Sequence, residues 1–146
     1  MDEITKEKIY LEISKIDNLV SKSTALIEKC KIQEPDFFEL NAMGSILHSY
    51  YNGLESIFKL IYKSSEEKPL TSNVWHSELF QSMFEKSENR ETVLSQDLKE
   101  PLKEYLGFRH SYGYELDWER LNPLFCGMSE IWTKVRTCFI SYIKET

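Results

Sequence analysis

In EYLGFRHSYGYELDW, residues 104–118, Arg109 and His110 are neighbours and Tyr112 follows two positions later. Histidine titrates near neutral pH and can take or give a proton. Arginine grips a phosphate through its planar fork and opposes developing negative charge. The pair is equipped for metal-free RNA cleavage, with a base for the 2′-hydroxyl and a cation for the charged transition state. Consecutive residues on a helix point about 100° apart, so the two need not reach one phosphate. The structural alternative is a helix-end Arg and His paired with carboxylates such as Glu104 or Asp117. Tyr112 and Tyr114 could stack a base or close the end of a bundle.

Other polar residues offer less. His76 beside Trp75 lacks metal-ligand companions, so packing or a hydrogen bond is its expected role. His48 falls between Leu47 and Tyr50 and reads as a partly buried imidazole; Glu55, seven residues on, puts an acid on the same helix side, solvated or paired within the chain. Cys30, Cys126 and Cys138 are odd in number and far apart, which suits buried free thiols in a reducing cytoplasm. There is no glycine-rich phosphate loop, no G-x-S-x-G and no H-E-x-x-H, so neither a metal nor a cofactor is expected.

The elements that must position these residues are helical. Leu40, Met43, Leu47, Tyr50, Leu54, Ile57 and Ile61 recur at alternating spacings of three and four, the seam of a helix between near-parallel neighbours. Ile46, Tyr51 and Phe58 widen that stripe. Pro35 is expected in the first turn of this helix and Asp36 at its positive end. A first helix is expected from about Thr5 to Lys31, on Ile9, Ile13, Ile16, Val20 and Ile27. The last follows Asn122-Pro123, with Leu124, Met128, Ile131, Val135, Cys138 and Tyr142 inward. A short helix capped by Asn73 carries Val74, Leu79, Met83 and Phe84. Another begins near Ser95, or near residue 100 if Pro101 moves its start, and turns Leu98, Leu102, Tyr105 and Leu106 inward. Residues 64–72 and 87–91 are polar breaks.

The expectation is one all-α, up-and-down helical domain over residues 1–146, with three long helices and one or two shorter ones. The charged N-terminus has no apolar signal core and no stretch is long enough to span a membrane, so a cytoplasmic protein is expected. A net charge of −6 counts against general affinity for nucleic acid; RNA would need a local basic patch, or one assembled with a partner.

Taken together, ILHSYYNGLESIFKLI, VWHSELF, LKEYLGFRHSYGYELDWERLNPLF and IWTKVRTCFISYI resemble the HEPN superfamily, specifically HepT-like proteins, across residues 5–143. The resemblance implies a bundle that dimerises so that two R-x4–6-H motifs face one cleft and cleave RNA without a metal. It also implies an MNT-type nucleotidyltransferase antitoxin as partner. In that pairing the motif reads R-x4-H-x-Y, and the antitoxin can adenylylate the tyrosine. His110-Ser111-Tyr112 fits the H-x-Y part. The positions where the leading arginine should stand hold Lys103, Glu104 and Tyr105. Either Arg109 and His110 are the later pair and the leading arginine is lost, or Arg109 is the catalytic arginine and its distant histidine is lost. Arg109 of one chain could approach His110 of a second, and Lys103 could supply a cation at K-x6-H spacing. The site residues implied are His110 and Arg109 for catalysis and Tyr112, Lys103 and Tyr105 for modification or substrate contact. A HEPN module that binds a nucleotidyltransferase or RNA without cleaving it is the alternative.

Overall fold

The computed structural model describes residues 1–65, 67–111 and 116–146, with His110 and Ser111 described by their backbone alone. Five α-helices occur among them: α1 (Glu3–Cys30), α2 (Phe37–Ser64), α3 (Trp75–Ser82), α4 (Lys99–Ser111) and α5 (Trp118–Glu145), with a 3-10 turn at Gln96–Leu98 ahead of α4. The helical bundle expected from the periodicity is present.

Helix α2 is the axis of the molecule and touches each of the other four. Every stripe residue expected on it is buried except Leu40 and Ile46, which are half-buried. Its start is fixed by a capping box: the Asp36 carboxylate accepts from the Glu39 N–H at 2.8 Å, and Glu39 accepts from the Asp36 N–H at 3.0 Å. Pro35 therefore precedes the helix instead of opening it. Helix α1 packs along α2 closely enough that a Cβ on Gly53 would lie 2.8 Å from Ile16 Cγ1. Asp17 ties α1 to α5 by accepting from Trp132 Nε1 at 2.8 Å and from Arg136 Nε at 3.0 Å.

Two expected boundaries are corrected. Helix α5 begins ahead of Pro123, at Trp118, because the Asp117 side chain caps it by accepting from the Glu119 N–H at 3.0 Å. Pro123 sits in the second turn on the exposed side, where its missing N–H leaves a helix carbonyl near water. The inward face of α5 includes Phe125, Trp132 and Phe139, whereas Ile131 and Cys138 are only half-buried. Asn73 does not cap α3; the Ser72 hydroxyl accepts from the Val74 N–H and donates to Glu78, and Val74 is exposed. Pro101 is accommodated in the first turn of α4, after the 3-10 turn has started the chain inward, and Leu98, Leu102, Tyr105 and Leu106 are buried as expected.

The breaks after α2 and α3 are joined. Arg90, in the second break, has a side chain only 1% exposed, and its Nη2 lies 3.0 Å from the Glu67 carboxylate. No helix among the described residues is long and apolar enough to cross a membrane.

Candidate functional site

Helices α2, α3 and α4 each deliver one polar side chain to a common junction. Helix α2 delivers Glu55. Its carboxylate lies on the helix side shared by Tyr51, Leu54 and Phe58, so packing forces it inward, and it is 3% exposed. A carboxylate removed from water must find cations or donors. Glu55 has three: His76 Nδ1 at 2.7 Å, Arg109 Nη2 at 3.7 Å and Lys59 Nζ at 3.9 Å.

Helix α3 brings His76. Its ring stacks on Trp75 with centroids 3.5 Å apart, and its Nδ1 meets Glu55. An ionised carboxylate only accepts, so Nδ1 carries the proton in this contact. Lys59 Nζ lies over the Trp75 ring, 4.7 Å from its centroid, so the lysine links Trp75 to Glu55.

Helix α4 brings Arg109. Its Nε–H donates to Asn52 Oδ1 at 3.3 Å, its Nη2 faces Glu55, and the side chain retains 24% exposure. The guanidinium is thus aimed by two α2 residues one helical turn apart, and part of its donor fork still meets solvent. The partner is Glu55 on another helix, not Glu104 or Asp117. Tyr51 also senses the junction: burial pushes its hydroxyl well above the usual range, with Glu55 adding to the shift and Arg109 opposing it.

Of the other expected site residues, Tyr105 and Lys103 have described side chains. Tyr105 faces the core at 3% exposure, packs edge-on against Tyr50, and donates its hydroxyl to the Leu124 carbonyl at 2.7 Å. Lys103 is exposed on α4. Its register is shared by Gly107 and position 110, spaced four and seven residues on, so these positions lie along one helix face. The His110 side chain, Tyr112 and Tyr114 lie outside what is described. His48 is half-buried on α2, Cys30 is buried, and Cys126 and Cys138 are half-buried, all three thiols being free. Among the described residues no group of three His, Cys, Asp or Glu could hold a metal ion.

Chemically, the junction presents an oriented arginine above a buried carboxylate that is itself fixed by a histidine. Such an arginine can hold an oxyanion without first being ordered. Sequence reasoning noticed Glu55, His76 and Arg109 separately and did not join them. The available signal was Glu55 itself, three residues before Phe58 and four after Tyr51, hence a charge inside an apolar stripe.

The family model described as HepT-like protein matches residues 42–146, which takes in all three of these side chains and the Arg109–Tyr112 stretch. No curated protein and no solved structure matches the chain.

Proposed function

The chain belongs to the HepT-like family, and on that premise we propose that it is the HEPN-type toxin of a toxin–antitoxin pair, a metal-independent endoribonuclease working at the cleft of a homodimer. The observation that carries this reading is Arg109, held by Asn52 and buried Glu55 yet still partly open to solvent. In the proposed reaction His110 takes the proton of an RNA 2′-hydroxyl. The freed oxygen attacks the adjacent phosphorus, the bond to the 5′-oxygen breaks, and that oxygen regains a proton. Arg109 opposes the charge that builds on the phosphoryl oxygens. Tyr112 is the residue that an MNT-type nucleotidyltransferase antitoxin adenylylates, silencing the site. Lys103 adds an exposed cation on the same helix, and Tyr105, whose hydroxyl is engaged by Leu124, supports α4 from beneath. RNA as substrate places the protein in the cytoplasm.

Purified protein incubated with RNA in the presence of EDTA tests this reading. The expected result is chain cleavage leaving 2′,3′-cyclic phosphate ends, abolished by His110→Ala and reduced about 10²-fold or more by Arg109→Ala. Cleavage that survives His110→Ala, or no cleavage at all, refutes it.

One observation favours the second reading, a module that docks a nucleotidyltransferase or holds RNA without cutting it. Helix α4 continues through Ser111, so Arg109 and His110 are consecutive helical residues and the spacing of the family motif is not restored. Expression of the chain alone separates the two: a toxin arrests growth, and a docking module leaves it unchanged.

A further inference from the structure

An acidic chain that binds RNA needs a local region where cations outnumber free carboxylates, and the structure holds one next to the junction. A cavity of about 440 Å³ opens between the end of α2 and α3, with Lys59, Lys63, Tyr62, Leu70, Trp75 and Leu79 in its walls. That volume is within the range of small-ligand sites. A second hollow of about 350 Å³ adjoins it along α1 and α2, sharing Lys59 and Lys63 and adding Lys8. The described carboxylates that border these hollows are already matched. Glu67 faces Arg90 at 3.0 Å, and Glu12 faces Lys15 at 3.1 Å. Glu55 is held by His76 and Arg109. Lys63, exposed on α2, makes no ion pair among the described residues, and Lys59 has only its long contact to Glu55. Among the described residues that line the two hollows, Lys8, Lys59 and Lys63 stand against Glu12 and Glu67, although the whole chain carries −6.

The opposite wall is apolar and partly rigid. Trp75 is fixed by the His76 stack and by Lys59 above its ring. Tyr62 has its hydroxyl committed to the Lys68 carbonyl at 2.8 Å. Two ammonium groups one helical turn apart, facing aromatic and aliphatic surface, fit a ligand with a phosphate on one side and a flat, weakly polar body on the other.

We infer that this cavity receives a nucleotide, its phosphate on Lys59 and Lys63 and its base against Leu70 and Leu79. Lys59, which touches both Trp75 and Glu55, links a wall of the cavity to the junction that holds Arg109. The assignment rests on the RNA-binding reading above. The same chemistry is offered by a residue of an RNA strand and by a free mononucleotide.

The test is binding of a 2′-O-methyl RNA 12-mer, which lacks the attacking hydroxyl, and separately of AMP, to the wild type, Lys63→Gln and Leu70→Trp. Neither substitution touches the Arg109 junction. Removing one phosphate contact lowers the salt slope for single strands by about 0.7, which at 0.1 M salt is about fivefold in affinity. Lys63→Gln is expected to show that loss, and Leu70→Trp, which fills the cavity, a loss at least as large with unchanged salt slope. If only the 12-mer responds, the cavity reads a strand; if AMP responds equally, it is a mononucleotide pocket. If neither ligand distinguishes the variants from wild type, the inference is overturned, even where unmodified RNA is cleaved. Weakened 12-mer binding in the variants without any RNA cleavage by wild type upholds the cavity and removes the nuclease.

Discussion

The Glu55 junction makes a ranked prediction, because its three partners stand at different distances. The perturbation is Glu55→Gln, combined in double-mutant cycles with His76→Ala and with Arg109→Ala. At 2.7 Å the His76 contact is a true hydrogen bond to a charged acceptor that is 4% exposed, a class that contributes about 1.5–3 kcal/mol. At 3.7 Å the Arg109 contact is outside hydrogen-bond reach, and with the guanidinium 24% exposed it should be worth less than about 1 kcal/mol. Lys59, 3.9 Å away and 55% exposed, contributes least. Glutamine keeps the shape and an acceptor but not the charge, so Glu55→Gln should lower stability by about 2 kcal/mol. For a chain of this size that is a fall in Tm of about 4–8 °C. Urea melts of the single and double variants give the couplings. Glu55–His76 should exceed Glu55–Arg109 by about 1 kcal/mol. A larger coupling to Arg109, or a Glu55→Gln variant as stable as the parent, would refute this picture of the junction.

Two glycines should respond with opposite signs. Gly107→Ala, where a Cβ meets nothing within 4 Å, should gain about 0.5–1 kcal/mol from helix propensity, whereas Gly53→Ala, meeting Ile16 Cγ1 at 2.8 Å, should lose about 1 kcal/mol or more in the same denaturant titration. Arg90→Met keeps the buried volume but strands the Glu67 carboxylate, and should cost about 3 kcal/mol in urea unfolding. Burial pushes the hydroxyls of Tyr50, Tyr51 and Tyr105 above the ordinary 10.0, so the folded chain keeps protons that the unfolded chain releases. Stability is then fully present below pH 10 and falls above it by up to about 4 kcal/mol per pH unit for the three together; the share of phenolate absorbance due to these three should appear only with cooperative unfolding, and its loss from the folded chain in a triple Tyr→Phe variant before unfolding would contradict the assignment.

What could be read from the sequence was whatever repeats locally. The α2 stripe from Met43 to Ile61 and the α1 stripe from Ile9 to Ile27 are buried as their spacing required, since a helix carries its periodicity with it. The errors came where one residue type was given its usual weight. The last helix is expected to follow Pro123, but an Asp117 cap and the inward-facing Leu121, Leu124 and Phe125 on either side of it outweigh one missing hydrogen bond on the wet side of α5. Residues 87–91 were read as a polar turn, yet Arg90 is buried, because its partner Glu67 is supplied by a distant loop. The same holds for the junction. Glu55, His76 and Arg109 belong to three helices, and only the packing of α3 and α4 on α2 brings them together.

That packing also bears on how Arg109 and His110 can act. Helix α4 is continuous across Arg109 and position 110, so their Cα–Cβ bonds diverge by about 100°. Arg109 is drawn toward α2 by Asn52 and Glu55, and releasing it would leave a buried carboxylate short of one cation. Position 110 shares instead the face of exposed Lys103, on the line that runs through Gly107. A site that needs both functional groups on one phosphate is thus built more readily from Arg109 of one chain and His110 of a second than from either chain alone. The consequence is measurable by mixing. Arg109→Ala and His110→Ala chains, each inactive alone, should regain up to about a quarter of wild-type cleavage when co-refolded, since half of the dimers are then mixed and each mixed dimer keeps one of its two sites intact. Failure to complement, with mixed dimers present by mass and each chain folded, would mean that both groups must come from the same protomer.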